Sequence, residues 1–60
     1  MAALPIWYVQ VQPRPTARVE TFRQEASTIQ EAIELSISEC VTRFGATREH
    51  ITVLEAGLVQ

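Results

Sequence analysis

The order strand, strand, helix, strand predicts an α+β fold for this 60-residue chain. The expected form is ββαβ: a three-stranded antiparallel sheet in the order 2-1-3, with one helix packed on one face. Three observations predict it. Residues 28–44 are a long segment of helical periodicity, opened by a capping signal and closed by a glycine. Residues 6–12, 17–23 and 50–56 are short runs rich in β-branched and aromatic residues. Two prolines between the first two runs make them a hairpin, and a right-handed crossover through the helix puts the third strand beside the first.

In the first run, Ile6-Trp7-Tyr8-Val9-Gln10-Val11-Gln12, alternation starts at Trp7. Trp7, Val9 and Val11 share the core face; Ile6, Tyr8, Gln10 and Gln12 share the other. Pro13 and Pro15 remove ladder donors and end the strand. In the second run, Val19 and Thr21 alternate with Arg18 and Glu20, as suits an edge strand with a wet face. Phe22 breaks that alternation. Either a bulge shifts the register, or Phe22 lies on the outer face beside Tyr8.

The helix opens on Thr28-Ile29-Gln30-Glu31, the form of a capping box. The Thr28 hydroxyl accepts from the Glu31 amide, and the Glu31 carboxylate reaches back to the Thr28 amide. Ser27 and Gln30 offer the same pairing one residue earlier. Ile29, Ile33, Ser36, Ile37, Cys40 and Phe44 form one stripe, bordered by Ala32 and Val41. Ser36, inside that stripe, is expected to bond a carbonyl one turn back. Glu39 and Arg43 make an i,i+4 pair, and Gly45 ends the helix in the left-handed conformation. Leu35 points away from the stripe, as a lone surface leucine or as a contact on a partner chain. Thr47 is placed to cap one further turn. In the third run Ile51 and Val53 face one way and Thr52, Leu54 and Ala56 the other, and Gly57 permits a bend.

The length allows a single domain, residues 1–60. A chain this short buries only about 60% of its unfolded surface, and small folds supplement that with disulfides, a metal or a partner. One cysteine excludes an intrachain disulfide, and one cysteine with one histidine is a poor metal inventory. No metal or cofactor is expected, and association remains as the supplement. A hydrophobic content of 47% excludes a disordered tail. All five cations are arginine and all seven anions glutamate, so aspartate is missing from any catalytic scheme. Residues 1–24 carry a net +2 and residues 25–60 a net −4. That overall acidity gives no footprint for nonspecific nucleic-acid binding. Met1-Ala2-Ala3-Leu4 is too short and uncharged for a signal peptide, and no apolar run reaches membrane-span length. A cytoplasmic protein with no membrane partner is the expectation.

Cys40 lies on the apolar stripe, where a thiol is inert. His50 stands at a strand end beside Glu49, which points to the opposite face. No catalytic residue is assigned, and the chain is read as no enzyme. The strand-helix-strand order with an early proline resembles the tautomerases, but Met1 to Leu4 precede Pro5, so its nitrogen is a tertiary amide and not a base. Thr28-Ile29-Gln30-Glu31-Ala32-Ile33 resembles the helix start of HicB-type antitoxins, which carry Thr-Leu-Glu-Glu-Ala-Leu after two or three strands. The glycine-rich strand ends of that family are missing. The hairpin, cap, helix and strand also resemble the ubiquitin-like β-grasp, without its last strand and terminal diglycine.

The expected function is therefore a non-enzymatic interaction module that binds and modulates a larger protein partner. It is expected to be a homodimer through the sheet face away from the helix. Ile6, Tyr8 and Leu54 would form that contact, joined by Phe22 if it lies outside, with Leu35 as a rival surface. Two alternatives stand beside it. One is a nucleic-acid-binding protein using Arg14, Arg18 and Arg23 on phosphates, with Tyr8 or Phe22 as a stacking surface. The other is an antitoxin-like regulator, which the HicB resemblance implies.

Overall fold

The computed structural model describes residues 3–13 and 18–59. Strands β1 (Ile6–Pro13), β2 (Glu20–Glu25) and β3 (Ile51–Leu58) form one antiparallel sheet in the order β2-β1-β3. Helix α1 (Ile29–Phe44) crosses one face, and a single 3-10 turn, Arg48–His50, leads into β3. The expected ββαβ architecture is the observed one. The residues that link β1 to β2 at 14–17 lie outside the described residues, and Arg14 with them.

The central strand follows its alternation. Val9, Val11 and Pro13 are buried under the helix with Trp7 packed beside them. The Trp7 indole donates to the Ala26 carbonyl at 2.8 Å, and the Ala26 amide donates to Pro5 at 3.2 Å. These two bonds hold the β2–α1 connection over the start of β1.

The second strand corrects the expectation for Phe22. Val9 pairs with Phe22 and Val11 with Glu20, so the inward residues of β2 are Glu20, Phe22 and Gln24. Phe22 is buried beneath the helix, and no register shift interrupts the β1–β2 ladder. Val19 precedes the strand and is exposed. Turning the Glu20, Phe22 and Gln24 set inward buries the largest apolar side chain of the strand, Phe22, against Val9, while Val19 falls outside the strand.

The third strand carries the bulge. Gln10 pairs with Glu55 but Val11 with Val53, leaving Leu54 as an extra residue. The strand therefore changes parity in its middle. Ile51, Val53, Ala56 and Leu58 face the helix, while Thr52, Glu55 and Gly57 face away. Ala56, expected on the outer side, is turned inward and packs against the core. Gly57 is no bend. It sits in the ladder opposite Tyr8, whose ring lies so close that a Cβ there would meet Tyr8 Cε1 at 3.1 Å.

The helix starts and stops where expected, with one change at each level of detail. The Thr28 hydroxyl accepts from the Glu31 amide at 3.2 Å, but the Glu31 carboxylate takes the amide and hydroxyl of Ser27, not the Thr28 amide. Gly45 has φ 67° and donates back to Val41 at 3.0 Å. Thr47 makes no side-chain cap to the short turn. The buried line of the helix is Ala32, Ser36 and Cys40, while Ile29 and Phe44 are exposed. Small residues at spacing four let the helix axis lie close to the sheet, and the bulkier isoleucines then fit only beside the contact line. Glu39 is bonded to Gln24 at 2.9 Å and to Arg43 at 3.5 Å, and Arg43 lies 6.0 Å over the Phe22 ring. These contacts tie one flank of the helix to β2.

Candidate interaction surface

The helix leaves one face of the sheet bare. On β1 that face carries Ile6, Tyr8, Gln10 and Gln12; on β2, Thr21, Arg23 and Glu25; on β3, Thr52, Leu54, Glu55 and Gly57. Ile6 is 43% exposed and Leu54 48% exposed, both large values for apolar side chains on a central sheet face. The bulge is what places Leu54 and Glu55 side by side at the rim. Sequence reasoning named Ile6, Tyr8 and Leu54 for this face; the ladder places Ile6 and Tyr8 on it, and Leu54 is the unpaired, exposed residue of the bulge. Phe22 is not among them, which narrows the apolar area.

Tyr8 is the centre of the face. Its phenol donates to Glu55 Oε2 at 2.8 Å, reaching across the strand with its ring over Gly57. The bond to Glu55 raises the phenol above its ordinary pKa, with desolvation and the Glu55 charge adding in the same direction. The Tyr8–Gly57–Glu55 arrangement could not be read from spacing, because without the bulge Glu55 would point to the helix. The opposite neighbour of Tyr8 is Arg23. An aromatic ring thus lies between a guanidinium strand and a carboxylate strand. Arg18 is exposed and precedes β2.

Other candidates have different surroundings. Cys40 is fully buried, and burial first, then the Glu20 charge, pushes its thiol up. That disfavours the thiolate a nucleophile needs. His50 ends the 3-10 turn, exposed. Among the described residues no three His, Cys or Glu side chains gather as a metal site, and no helix is long and apolar enough to cross a membrane. A recess of about 480 Å³ lies between the last helical turns and the Ala46–Arg48 segment, lined by Ser38, Val41, Thr42 and Arg48 among others. Arg48 is already bonded to Glu34. Leu35 is 44% exposed on the helix flank opposite Ile33 and Ile37.

No protein-family model, no curated protein and no solved structure matches the chain.

Proposed function

We propose that this chain is a non-enzymatic interaction module that acts by occupying a surface on a partner protein, with the bare sheet face as its working surface. The observation that carries the reading is the uncovered face itself: Ile6 and Tyr8 share it, the exposed Leu54 stands at the bulge farther along, and Arg23, Glu25 and Glu55 flank them. An apolar centre with a charged rim is the anatomy of a specific protein contact. Tyr8 is held flat by Gly57 and anchored by Glu55, so it loses little freedom on binding. Phe22 lies on the other side of the sheet, so the face has less apolar area than the sequence-expected homodimer contact. That leaves the homodimer contact to another surface.

The test is capture from cells of the source organism with tagged wild-type protein, Tyr8→Glu and Leu35→Glu. A partner retained by wild type and Leu35→Glu but lost by Tyr8→Glu is the expected result. Loss with Leu35→Glu alone would move the working surface to the helix. A second reading is favoured by the placement of Arg23 beside Tyr8: a stacking ring next to a cation suits single-stranded nucleic acid. Salt-dependent RNA or DNA binding that disappears in Arg18→Ala/Arg23→Ala would reverse the ranking.

A further inference from the structure

We propose that the chain associates with a second copy of itself through the free edge of β3, joining two sheets into one of six strands. The two edges of this sheet are built differently. β2 is six residues long and holds Glu20, Arg23 and Glu25, the charges that keep an edge from pairing. β3 is eight residues long with one charge, Glu55, which Tyr8 engages on the outer face. Among the described residues no strand pairs with its outer edge.

The core is also unfinished on that side. β1 buries Val9, Val11 and Pro13, and even β2 buries Phe22. No residue of β3 is buried, although Ile51, Val53 and Leu58 face the helix, and Leu58 is 52% exposed. The helix flank tied to β2 is polar, through Glu39 and Arg43. The flank a turn round from it, toward β3, carries Ile37 and Phe44, the latter 44% exposed.

The bulge makes β3 complementary to itself. In a regular strand, inward residues of one copy meet inward residues of a two-fold mate only when one residue sits on the axis. Here parity changes at Leu54, so the axis falls between Leu54 and Glu55. Ile51 then meets Leu58 of the second copy, Thr52 meets Gly57, Val53 meets Ala56, and Leu54 meets Glu55. Inward residues meet inward and outward meet outward over the full eight residues. The two Glu55 carboxylates are staggered and not directly opposed, which lowers the like-charge penalty of a centred pairing. Size adds a further condition. A stable interface takes about 800 Å² per partner, about a fifth of the 4270 Å² of this chain's surface. One strand edge does not reach that. The helices would stand three strand spacings apart, roughly 14 Å, and Ile37 and Phe44 of both copies would fill the groove above Ile51, Val53 and Leu58.

Sedimentation of the full chain at micromolar concentration, with wild type, Leu58→Lys, Tyr8→Glu and Leu35→Glu, tests the proposal. Wild type should sediment at about twice its 6.7 kDa chain mass. Leu58→Lys should keep its helical circular dichroism and dissociate at least roughly tenfold more readily, the effect of about 1.4 kcal/mol at the seam. Tyr8→Glu and Leu35→Glu should remain dimers. Should Leu58→Lys fail to fold, amide exchange of wild type replaces it: residues 51–58 should gain protection as concentration rises. A wild-type monomer overturns the proposal, as does a dimer whose 51–58 amides stay unprotected, or one split by Tyr8→Glu or Leu35→Glu but not by Leu58→Lys. A monomer would leave the partner-binding role of the bare face standing. Loss of partner capture in Tyr8→Glu with the dimer intact would separate the two surfaces.

Discussion

At the scale of single residues, two positions make claims that can be measured alone. The Ser36 hydroxyl is fully buried against the sheet and, among the described residues, has no hydrogen-bond partner. This corrects the expected bond to a carbonyl one turn back. A buried hydroxyl without a partner costs about 1–3 kcal/mol, and serine is also a weaker helix former than alanine. Ser36→Ala should therefore stabilise the fold by about 1 kcal/mol, raising the melting midpoint by roughly 4–8 °C for a domain of this size. An unchanged or lowered midpoint would show that the hydroxyl is satisfied. Tyr8 is the sole tyrosine, so its phenolate absorbance reads one site. Because the folded pKa is raised, the bond to Glu55 contributes fully below the ordinary tyrosine pKa and is lost as pH rises through the folded value. Wild type should titrate above free tyrosine, near pH 10, and Glu55→Gln should bring it back toward that value. Equal midpoints in the two proteins would show that the phenol and Glu55 are not coupled.

At the scale of elements, the helix start offers the third test. Glu31 lies below the ordinary glutamate pKa because it accepts first from the Ser27 amide and then from the Ser27 hydroxyl. A depressed carboxylate contributes stability above its unfolded pKa and loses it as pH falls through the folded one. The melting midpoint of wild type should exceed that of Glu31→Gln at neutral pH, and the gap should close below about pH 4.3. A gap that persists in acid would assign the effect to packing. The helix ends were legible in the sequence because caps are local: Thr28 and Gly45 need only their immediate neighbours to act. The facing of β2 was not legible, because Val19 and Thr21 make as regular a period-two pattern as Glu20, Phe22 and Gln24. Only burial against Val9 separates them. The parity change at Leu54 left no mark in residue type either, since a bulge is a relation between two strands. Ala56, Glu55 and Gly57 were misplaced or left without a role for that one reason.

At the scale of the molecule, the sheet order and the bare face were legible because connectivity rules and one amphipathic helix determine them. The make-up of the bare face was legible in its central strand, where alternation is unbroken. What remains is whether so small a core can stand alone. Among the described residues its buried apolar members are Val9, Val11, Pro13, Phe22, Ala26, Ala32, Cys40 and Ala46, of which Phe22 is the one large side chain. A core of that size supplies few kcal/mol beyond the chain entropy it must offset. If the β3 edge is the seam, folding and association are linked, and the folded state is favoured by mass action. The melting midpoint of wild type should then climb with protein concentration. Leu58→Lys should melt at a lower temperature than wild type at every concentration, because its dimer dissociates more readily. Calorimetry over a hundredfold concentration range separates the cases. A wild-type midpoint that stays constant would mean that these few buried side chains hold the monomer by themselves. In that case the half-exposed inward residues of β3 are a tolerated feature of a small sheet and not one half of a joint.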